Sequence, residues 1–433
     1  MPNQKRIYKL NRRPFIFYFF YLTLSLSAPM QSVIAAPSEL GIADLSANDV
    51  SYLWPVPTSA TDVNKLLNAT TVVGNTSIWP EASFNAVIDM ALNKVVAKGS
   101  SGVNKRIAFN ASALSQRETW KLVGFRVDPS APSTSPVVIS NFGSIPQIRL
   151  IMQPITFDSN GITVHDFTAH IPFNYTLNAK TPFEPNKAAF TEILNDLVAL
   201  KSFLLQASTP VSTDGLLRVN PGLASDTPGF ATKVEDFLAK HLDKGVVTVV
   251  AFMGLAPRPE PWVFFSTSLM PRQTAASTPQ ILFLLDTRRP AGPPIGGPNM
   301  NLGDGVGVST EVLFQPGAIN KLTQPAIPDR HSPLLNEIPN IIANPDMSNV
   351  LNTDCVSCHS ETTRRSILKI GNITGYQYSA ISGVDPEMLP TTNWNVRNFG
   401  WFARDILTPA KPSISTRTSN ETADVLKFIK AFY

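Results

Sequence analysis

The only two cysteines of this 433-residue chain stand close together, and a histidine directly follows the second one. They are Cys355 and Cys358, separated by two residues, and the histidine is His359. Two thiols at this spacing can bond the two vinyl groups of one porphyrin, and the adjacent imidazole can then bind the iron as the proximal ligand. The pattern therefore predicts one covalent haem c, with its iron, held by Cys355, Cys358 and His359.

Three other interpretations of the cysteine pair stay open at this point. A redox dithiol of the thioredoxin type follows a strand, whereas residues 344–353 are rich in turn formers and show no strand pattern. A structural zinc ion needs four ligands, and the chain has no second cysteine pair. The remaining histidines are scattered: His165, His170, His241 and His331. A disulfide between the two cysteines is the third alternative.

The N-terminal 35 residues have the pattern of a cleavable signal peptide. Five basic residues lie within the first 13, and an apolar run covers residues 15–26. Val33 and Ala35 form a small-residue cleavage site after residue 35. The apolar run is shorter than the ~20 residues of a spanning helix, so we expect no stable membrane span after cleavage. Haem c is attached outside the bacterial cytoplasm, so a periplasmic or otherwise exported location agrees with the cysteine motif.

Most of the net positive charge of the chain lies in residues 1–35. The formal net charge is +4, and removal of residues 1–35, with five basic and no acidic residues, leaves a net charge of −1. A nearly neutral chain of this kind does not have the charge expected of a nucleic-acid-binding protein. We therefore expect no nucleic-acid partner, and a redox partner protein whose identity the sequence does not give.

The remaining residues exceed one typical domain. We place a boundary in the proline-rich segment 325–333. The prediction is an α+β N-terminal domain of unknown role over residues 36–325, with an antiparallel sheet and helices. A small, mainly α, cytochrome c-like domain would follow over residues 326–433.

Hydrophobic periodicity gives the elements of these domains. Helices are predicted at residues 61–68, 83–98, 186–205 and 231–242. Half-buried strands are predicted at residues 121–128, 147–155, 162–168, 246–253, 262–267 and 280–286. Strands, helices and strands in this order favour an α+β arrangement.

His165 and His170 lie in one of these strands, five residues apart. In a regular strand they point to opposite faces, and no carboxylate or cysteine cluster stands near them as a further ligand set. We interpret both as structural or surface histidines.

The C-terminal region ends in a predicted helix with Thr418 as N-cap, Glu421 completing a capping box and an apolar stripe behind. The region resembles class I cytochrome c domains, in which such a helix packs across the helix that precedes the haem motif. Here that preceding helix is short and broken by Pro339 and Pro345.

Two further families share features with this chain. Its Thr-Asp-Cys-x-x-Cys-His-x-x-Thr motif, at residues 353–362, is similar to that of uncharacterised exported bacterial proteins with one C-terminal haem. The chain resembles more loosely the haem peroxidases with two c-type haems, although it carries one motif.

The sixth iron ligand and the function follow from the same region. Met388, in the proline-bounded loop 385–390, is placed as cytochrome c distal methionines are. His331, an open iron position and a plain core role for the methionine are the alternatives. Arg397 is a candidate partner for a haem propionate. The predicted function is one-electron transfer by an exported monohaem cytochrome; the alternatives are a peroxidase-like redox enzyme and a haem-based sensor or binding module.

Overall fold

The structure, a computed structural model, describes residues 40–94, 96–98, 104–106, 109–159, 161–178, 181–209, 214–255, 262–268, 280–281, 334–349, 359, 361, 365, 383–390, 398–403 and 409–433. Within it, Leu40–Tyr433 forms one compact unit. Outside the described residues lie the predicted signal peptide, the predicted boundary at residues 325/326, and four candidate site residues: Cys355, Cys358, His331 and Arg397.

The described helices are α1 (Ala47–Val50), α2 (Ala60–Lys65), α3 (Glu81–Asp89), α4 (Ala111–Ser115), α5 (Pro136–Phe142), α6 (Lys187–Gln206), α7 (Pro221–Ala224), α8 (Phe230–Leu242), α9 (Leu334–Ala343) and α10 (Thr416–Phe432). The helices predicted at 61–68, 186–205 and 231–242 are confirmed as α2, α6 and α8. The one predicted at 83–98 is too long. It leaves the α-helical form at Asp89 and continues as a π-helical turn to Lys94. A strand then opens at the β-branched Val96.

The described strands are β1 (Ser51–Leu53), β2 (Val72–Val73), β3 (Thr76–Ser77), β4 (Val96–Lys98), β5 (Asn104–Arg106), β6 (Trp120–Ala131), β7 (Ile145–Asp158), β8 (Gly161–Val164), β9 (Phe167–Asn174), β10 (Thr176–Asn178), β11 (Thr181–Pro185), β12 (Val246–Val247), β13 (Val249–Leu255), β14 (Trp262–Ser268), β15 (Gln280–Ile281), β16 (Phe399–Ala403) and β17 (Ala410–Ile414). Nine of them form one antiparallel sheet in the order β1-β6-β7-β9-β13-β14-β15, with β12 on β9 and β8 on β7.

The single strand predicted at 162–168 is two strands, because the chain turns at His165. The His165 amide donates to the Pro154 carbonyl at 3.0 Å, and the Phe167 amide donates to the His165 carbonyl at 2.8 Å. This tight turn ends β8 and starts β9. Of the strand predicted at 280–286, the described part is β15.

One face of the sheet is apolar and packs against helices. Tyr52 of β1 stacks on Phe125 of β6, with ring centroids 4.5 Å apart, and Phe125 stacks in turn on Phe237 of α8 at 5.9 Å. In β7 and β9, Leu150 and Ile171 continue this face, since the register pairs Phe125 with Leu150 and Leu150 with Ile171. Burial of this face against α6 and α8 is the main stabilising contribution to the core.

The opposite face of the sheet is polar and is nevertheless buried, so the prediction of half-buried strands is wrong. The register brings Ser51, Arg126 and Arg149 to this face, on β1, β6 and β7. C-terminal residues cover it. Ser51 Oγ lies 3.1 Å from Thr422 Oγ1 of α10, and the buried ring of Phe399 in β16 lies over Gly124. Burial is tolerated because these polar groups pair with one another.

Helix α10 begins three residues before its predicted start. Its N-cap is Ser415, whose Oγ accepts a hydrogen bond from the Thr418 amide at 3.2 Å, so the prediction of Thr418 as N-cap is wrong. Thr418 instead lies inside the first turn, where its hydroxyl donates to the Asn398 carbonyl at 2.8 Å. Glu421 makes no capping box, because it pairs with arginine side chains.

The described part of residues 326–433 contains α9, α10, a 3-10 turn at Pro386–Met388, and a hairpin of β16 and β17. Pro339 lies inside α9 and does not break it. An α+β core with an antiparallel sheet and helices is therefore confirmed.

In the described part of the chain, no helix combines the length and apolar character needed to span a bilayer.

Candidate haem-binding site

His359 is the member of the cysteine–histidine motif that the structure describes. Its backbone is helical and its side chain is partly buried. The imidazole Nδ1 lies 3.4 Å from the amide nitrogen Nδ2 of Asn398. Asn398 therefore lies against Nδ1, and Nε2 is the imidazole nitrogen that usually binds the iron in this motif.

Asn398 is itself fixed by the start of α10. Its carbonyl accepts hydrogen bonds from the Ser415 amide and from the Thr418 hydroxyl, both at 2.8 Å. The first turn of α10, through Asn398, thus sets the position of the group next to His359.

The helical backbone that contains His359 is also held to α9. Two residues further on, Glu361 forms a buried ion pair with Arg365. Arg365 Nη2 donates to the Pro339 carbonyl at 3.3 Å and to Asn340 Oδ1 at 3.0 Å. A buried guanidinium with carboxylate, carbonyl and amide partners is well satisfied, so this contact holds Glu361 and Arg365, the first of them two residues from His359, to α9.

Helix α10 is joined to α9 by Arg417. Arg417 Nη1 donates to the carbonyls of Ile342 at 2.9 Å and Ser348 at 2.6 Å, and its Nε donates to Glu421 at 2.7 Å. Together with Arg365, Arg417 makes α9, α10 and the His359 backbone one polar-bonded assembly.

Glu421 connects this assembly to the polar face of the sheet. Its carboxylate accepts from Arg126 Nη1 of β6 at 2.9 Å, and Arg126 Nη2 also donates to Asp128 at 3.0 Å. Burial disfavours the charge on Glu421, but the guanidiniums of Arg417 and Arg126 outweigh it and hold its pKa well below its usual range.

Arg149 belongs to a charged layer between the sheet and α10 that also contains Arg126, Asp128, Arg417 and Glu421. With the Gln147 amide turned to present its oxygen, that oxygen accepts from Arg149 Nε at 3.1 Å and Nη2 at 2.6 Å, but no carboxylate lies as close among the described residues. Its nearest carboxylate, Asp128, is 3.9 Å away and belongs mainly to Arg126. Burial and the positive charge of Arg126 both lower the pKa of Arg149. Arg126, Arg149 and Arg417 against Asp128 and Glu421 leave these five side chains with a net charge of +1. The layer therefore favours a further anion.

His170 of β9 lies on the same face of the sheet. The register pairs His170 with Ile151, and Ile151 is two residues from Arg149 on β7, so the side chains at 149, 151 and 170 share one face. Burial, together with the positive charges of Arg149, His359 and Arg126, lowers the pKa of His170 to about 3. The imidazole is thus neutral at neutral pH and lies within electrostatic range of His359. Among the described residues, no hydrogen-bond partner contacts the imidazole of His170.

Other buried polar atoms in this layer also lack a partner among the residues described. They are Arg126 Nε and Thr168 Oγ1 on the sheet and Ser419 Oγ on α10. Thr168 is two residues from His170 on β9, hence on the same face. Buried polar atoms normally have partners, so these atoms indicate that a polar group belongs in this layer. A haem, with two propionates and an iron that takes imidazole ligands, fits these groups.

Met388 ends the 3-10 turn Pro386–Met388 and is partly buried against the core. The segment before it bridges Leu217 through Val384, and Asp385 pairs with Arg218 at 3.4 Å. On its other side, Lys411 Nζ of β17 donates to the Glu387 carbonyl at 3.4 Å. The turn therefore lies between residues 217–218 and the β16–β17 hairpin, and Met388 stays a predicted iron ligand.

The other described histidines have hydrogen-bond partners. His165 Nε2 lies 2.9 Å from Thr156 Oγ1, and His241 Nε2 lies 2.7 Å from Asp196. Within the described ranges, no group of three or more His, Cys, Asp or Glu side chains could hold a metal ion by itself.

The sequence predicts His359 as a site residue, but it interprets His170 as structural or surface and gives no signal for Asn398 or Arg149. None of these three belongs to a sequence motif. Sheet register places Arg149 and His170 on the polar face, and the first turn of α10 places Asn398. Comparisons with protein-family models, with curated proteins and with solved structures find no match to this chain.

Proposed function

We propose that this protein is an exported monohaem c-type cytochrome that carries single electrons. One observation supports this proposal most directly: His359 of the Cys-x-x-Cys-His motif lies in helical backbone, next to a buried layer of cationic and unpartnered polar groups. When bound, the haem supplies the reversible one-electron couple of its iron.

In this proposal Cys355 and Cys358 form the two thioether bonds and His359 binds the iron through Nε2. Nδ1 of His359 then carries the proton. The Asn398 side chain, whose Nδ2 lies 3.4 Å from Nδ1, would accept a hydrogen bond from that N–H through Oδ1 after its amide turns by half a rotation. Such a hydrogen bond orients a metal-bound imidazole and increases its basicity.

The net positive charge of the layer has a role in the same proposal. Arg149 has one distant carboxylate neighbour, so a propionate carboxylate is a suitable partner for its guanidinium. Arg397 directly precedes Asn398 and remains a second candidate for this contact. Paired with propionates, the cations neutralise their negative charge.

Export to the periplasm, and a partner protein that delivers or accepts electrons, belong to the same proposal. They are supported by the basic and apolar pattern of residues 1–35 and by the site of haem c attachment outside the bacterial cytoplasm.

A second candidate function, a haem-dependent redox enzyme or a haem-based sensor, is favoured by His170 and Arg149. A neutral imidazole can accept a proton from a small ligand, and an adjacent guanidinium stabilises negative charge that develops on it. In that function the iron keeps an open position, whereas an electron carrier has both axial positions filled.

The experiment is expression of the full chain with a haem-maturation system, followed by denaturing electrophoresis and intact mass. We expect a band that retains haem stain and a mass one haem above that of the polypeptide. Cys355→Ser with Cys358→Ser is the matched control and should lose both signals. A haem-free protein with a Cys355–Cys358 disulfide would refute the proposed function.

A further inference from the structure

We propose that His170, on strand β9 of the large sheet, is the second axial ligand of the haem iron. This inference rests on the proposed function, because it requires a haem bound by His359. It assigns to the α+β part of the chain a direct role at the cofactor.

The first observation is the placement of His170. Cross-strand neighbours in an antiparallel sheet share a face, and the pairings Ile151 with His170 and Arg126 with Arg149 put these side chains on the polar face. Gln153 of the same face hydrogen-bonds the backbone of Trp401 in β16, at 3.1 Å and 2.8 Å. The His170 face is therefore the face that the C-terminal segment covers.

The second observation is that His359 reaches the same layer from the other side. His359 contacts Asn398, which the first turn of α10 holds, and Glu421 in the second turn of α10 binds Arg126 on the sheet. The ring of Phe399, the residue after Asn398, lies over Gly124, and the register pairs Gly124 with Ile151 and Ile151 with His170. The two imidazoles thus flank one layer.

The third observation is the chemical state of His170. It is partly buried, without a hydrogen-bond partner among the described residues, and on a strand whose neighbour Thr168 has an unpartnered buried hydroxyl. Histidine binds metal ions through a neutral imidazole nitrogen, so His170 has the chemistry required of a haem ligand.

Met388 is the competing ligand. Its turn is held at residues 217–218 by Val384 and Asp385, and at β17 by Lys411. Placement on a fixed strand favours His170, since a rigid element holds a metal ligand more accurately than a loop does.

The test uses the full chain with its covalent haem, and its readouts are spectroscopic. We expect the ferric protein to be low-spin without the near-infrared sulfur-to-iron band, and carbon monoxide to bind the ferrous form slowly. His170→Ala should become high-spin and bind carbon monoxide faster, and added imidazole should restore the low-spin spectrum. His170→Met should show the sulfur-to-iron band and a higher reduction potential, because a thioether favours ferrous iron.

Two matched variants separate the alternatives. His165→Ala removes a nearby histidine that bonds Thr156 and should leave the spectrum unchanged. A sulfur-to-iron band in the unmutated protein that disappears in Met388→Ala would overturn the inference and leave the proposed function intact. A high-spin unmutated protein, or a His170→Ala variant that stays low-spin without added imidazole, would also overturn it. Absence of covalent haem would refute the proposed function itself, and the two failures are therefore distinguishable.

Discussion

Replacement of Glu421 by glutamine is expected to destabilise the protein by about 3 kcal/mol at pH 7. The carboxylate accepts two charge-assisted hydrogen bonds, from Arg126 at 2.9 Å and from Arg417 at 2.7 Å. Each is worth roughly 1.5–3 kcal/mol. The amide oxygen of glutamine keeps part of one bond, and the Glu421 side chain is 31% exposed, so water compensates in part. The lower half of the summed range therefore applies, close to the roughly 3–5 kcal/mol typical of breaking a buried ion pair.

The pH dependence of this loss has a definite sign. The pKa of Glu421 is lowered in the folded protein, so its stabilising contribution is fully present above the unfolded pKa of about 4.3. It is lost as the pH falls through the lower folded pKa. Glutamine does not titrate, so the difference in unfolding free energy between the two proteins should shrink steadily below about pH 4.3.

Urea denaturation of the full chain between pH 3 and pH 7 measures this difference. Glu192→Gln is the control, because Glu192 pairs with Lys240 and Lys244 on the exposed surface of α6 and α8. It should change stability little, since exposed ion pairs contribute little. A loss at Glu421 no larger than at Glu192, or one that does not vary with pH, would refute the reasoning.

Three further substitutions test contacts between the sheet and the C-terminal segment, each by urea denaturation at pH 7. Gly124→Ala should cost about 1–3 kcal/mol, because its new methyl would lie 2.6 Å from the Phe399 ring and 2.7 Å from the Tyr52 carbonyl; an unchanged midpoint would show that β16 does not cover β6. Gln153→Ala should cost about 3 kcal/mol, since the buried amide and carbonyl of Trp401 lose their partners; a neutral effect would contradict that pairing. Ser415→Ala should cost about 1 kcal/mol through loss of the α10 N-cap. An unchanged stability would show that another residue caps the helix.

The elements with strong periodicity could be predicted from the sequence. Helix α6 has its buried side chains Phe190, Ile193, Leu194 and Leu197 on one stripe, and the structure confirms it almost residue for residue. Strands β6 and β7 were also predicted, but their burial on both faces was not. Polar side chains such as Asp128 and Gln147 are typical of a solvent-exposed face, and only polar partners allow them to be buried.

The start of α10 shows why local patterns mislead at element ends. Thr418 and Glu421 fit the capping-box spacing, yet Ser415 fits the N-cap position equally well, and local sequence does not distinguish the two. The choice depends on Glu421, whose carboxylate binds Arg126 across 295 residues of sequence and is therefore not available to cap the helix.

The residues of the candidate site also differ in how far the sequence predicts them. His359 is predicted from its motif, because covalent chemistry imposes fixed local spacing. His170, Arg149 and Asn398 come from distant elements, so no spacing rule identifies them. Their proximity to His359 depends on sheet register and on the position of α10, which are properties of the fold.

The layer between the sheet and α10 has a consequence for the order of events in a newly made chain. Its contacts join residues far apart in sequence: Ser51 and Thr422 are 371 residues apart, and Gln153 and Trp401 are 248 apart. A ribosome delivers the N-terminus first, so the arginines of the polar face remain hydrated until the last few dozen residues have emerged. Closure of such distant contacts is slow, so this layer is expected to lose its water late in folding. A chain truncated before α10 would keep this charged face open permanently, and proteolytic quality control would recognise it as unfinished.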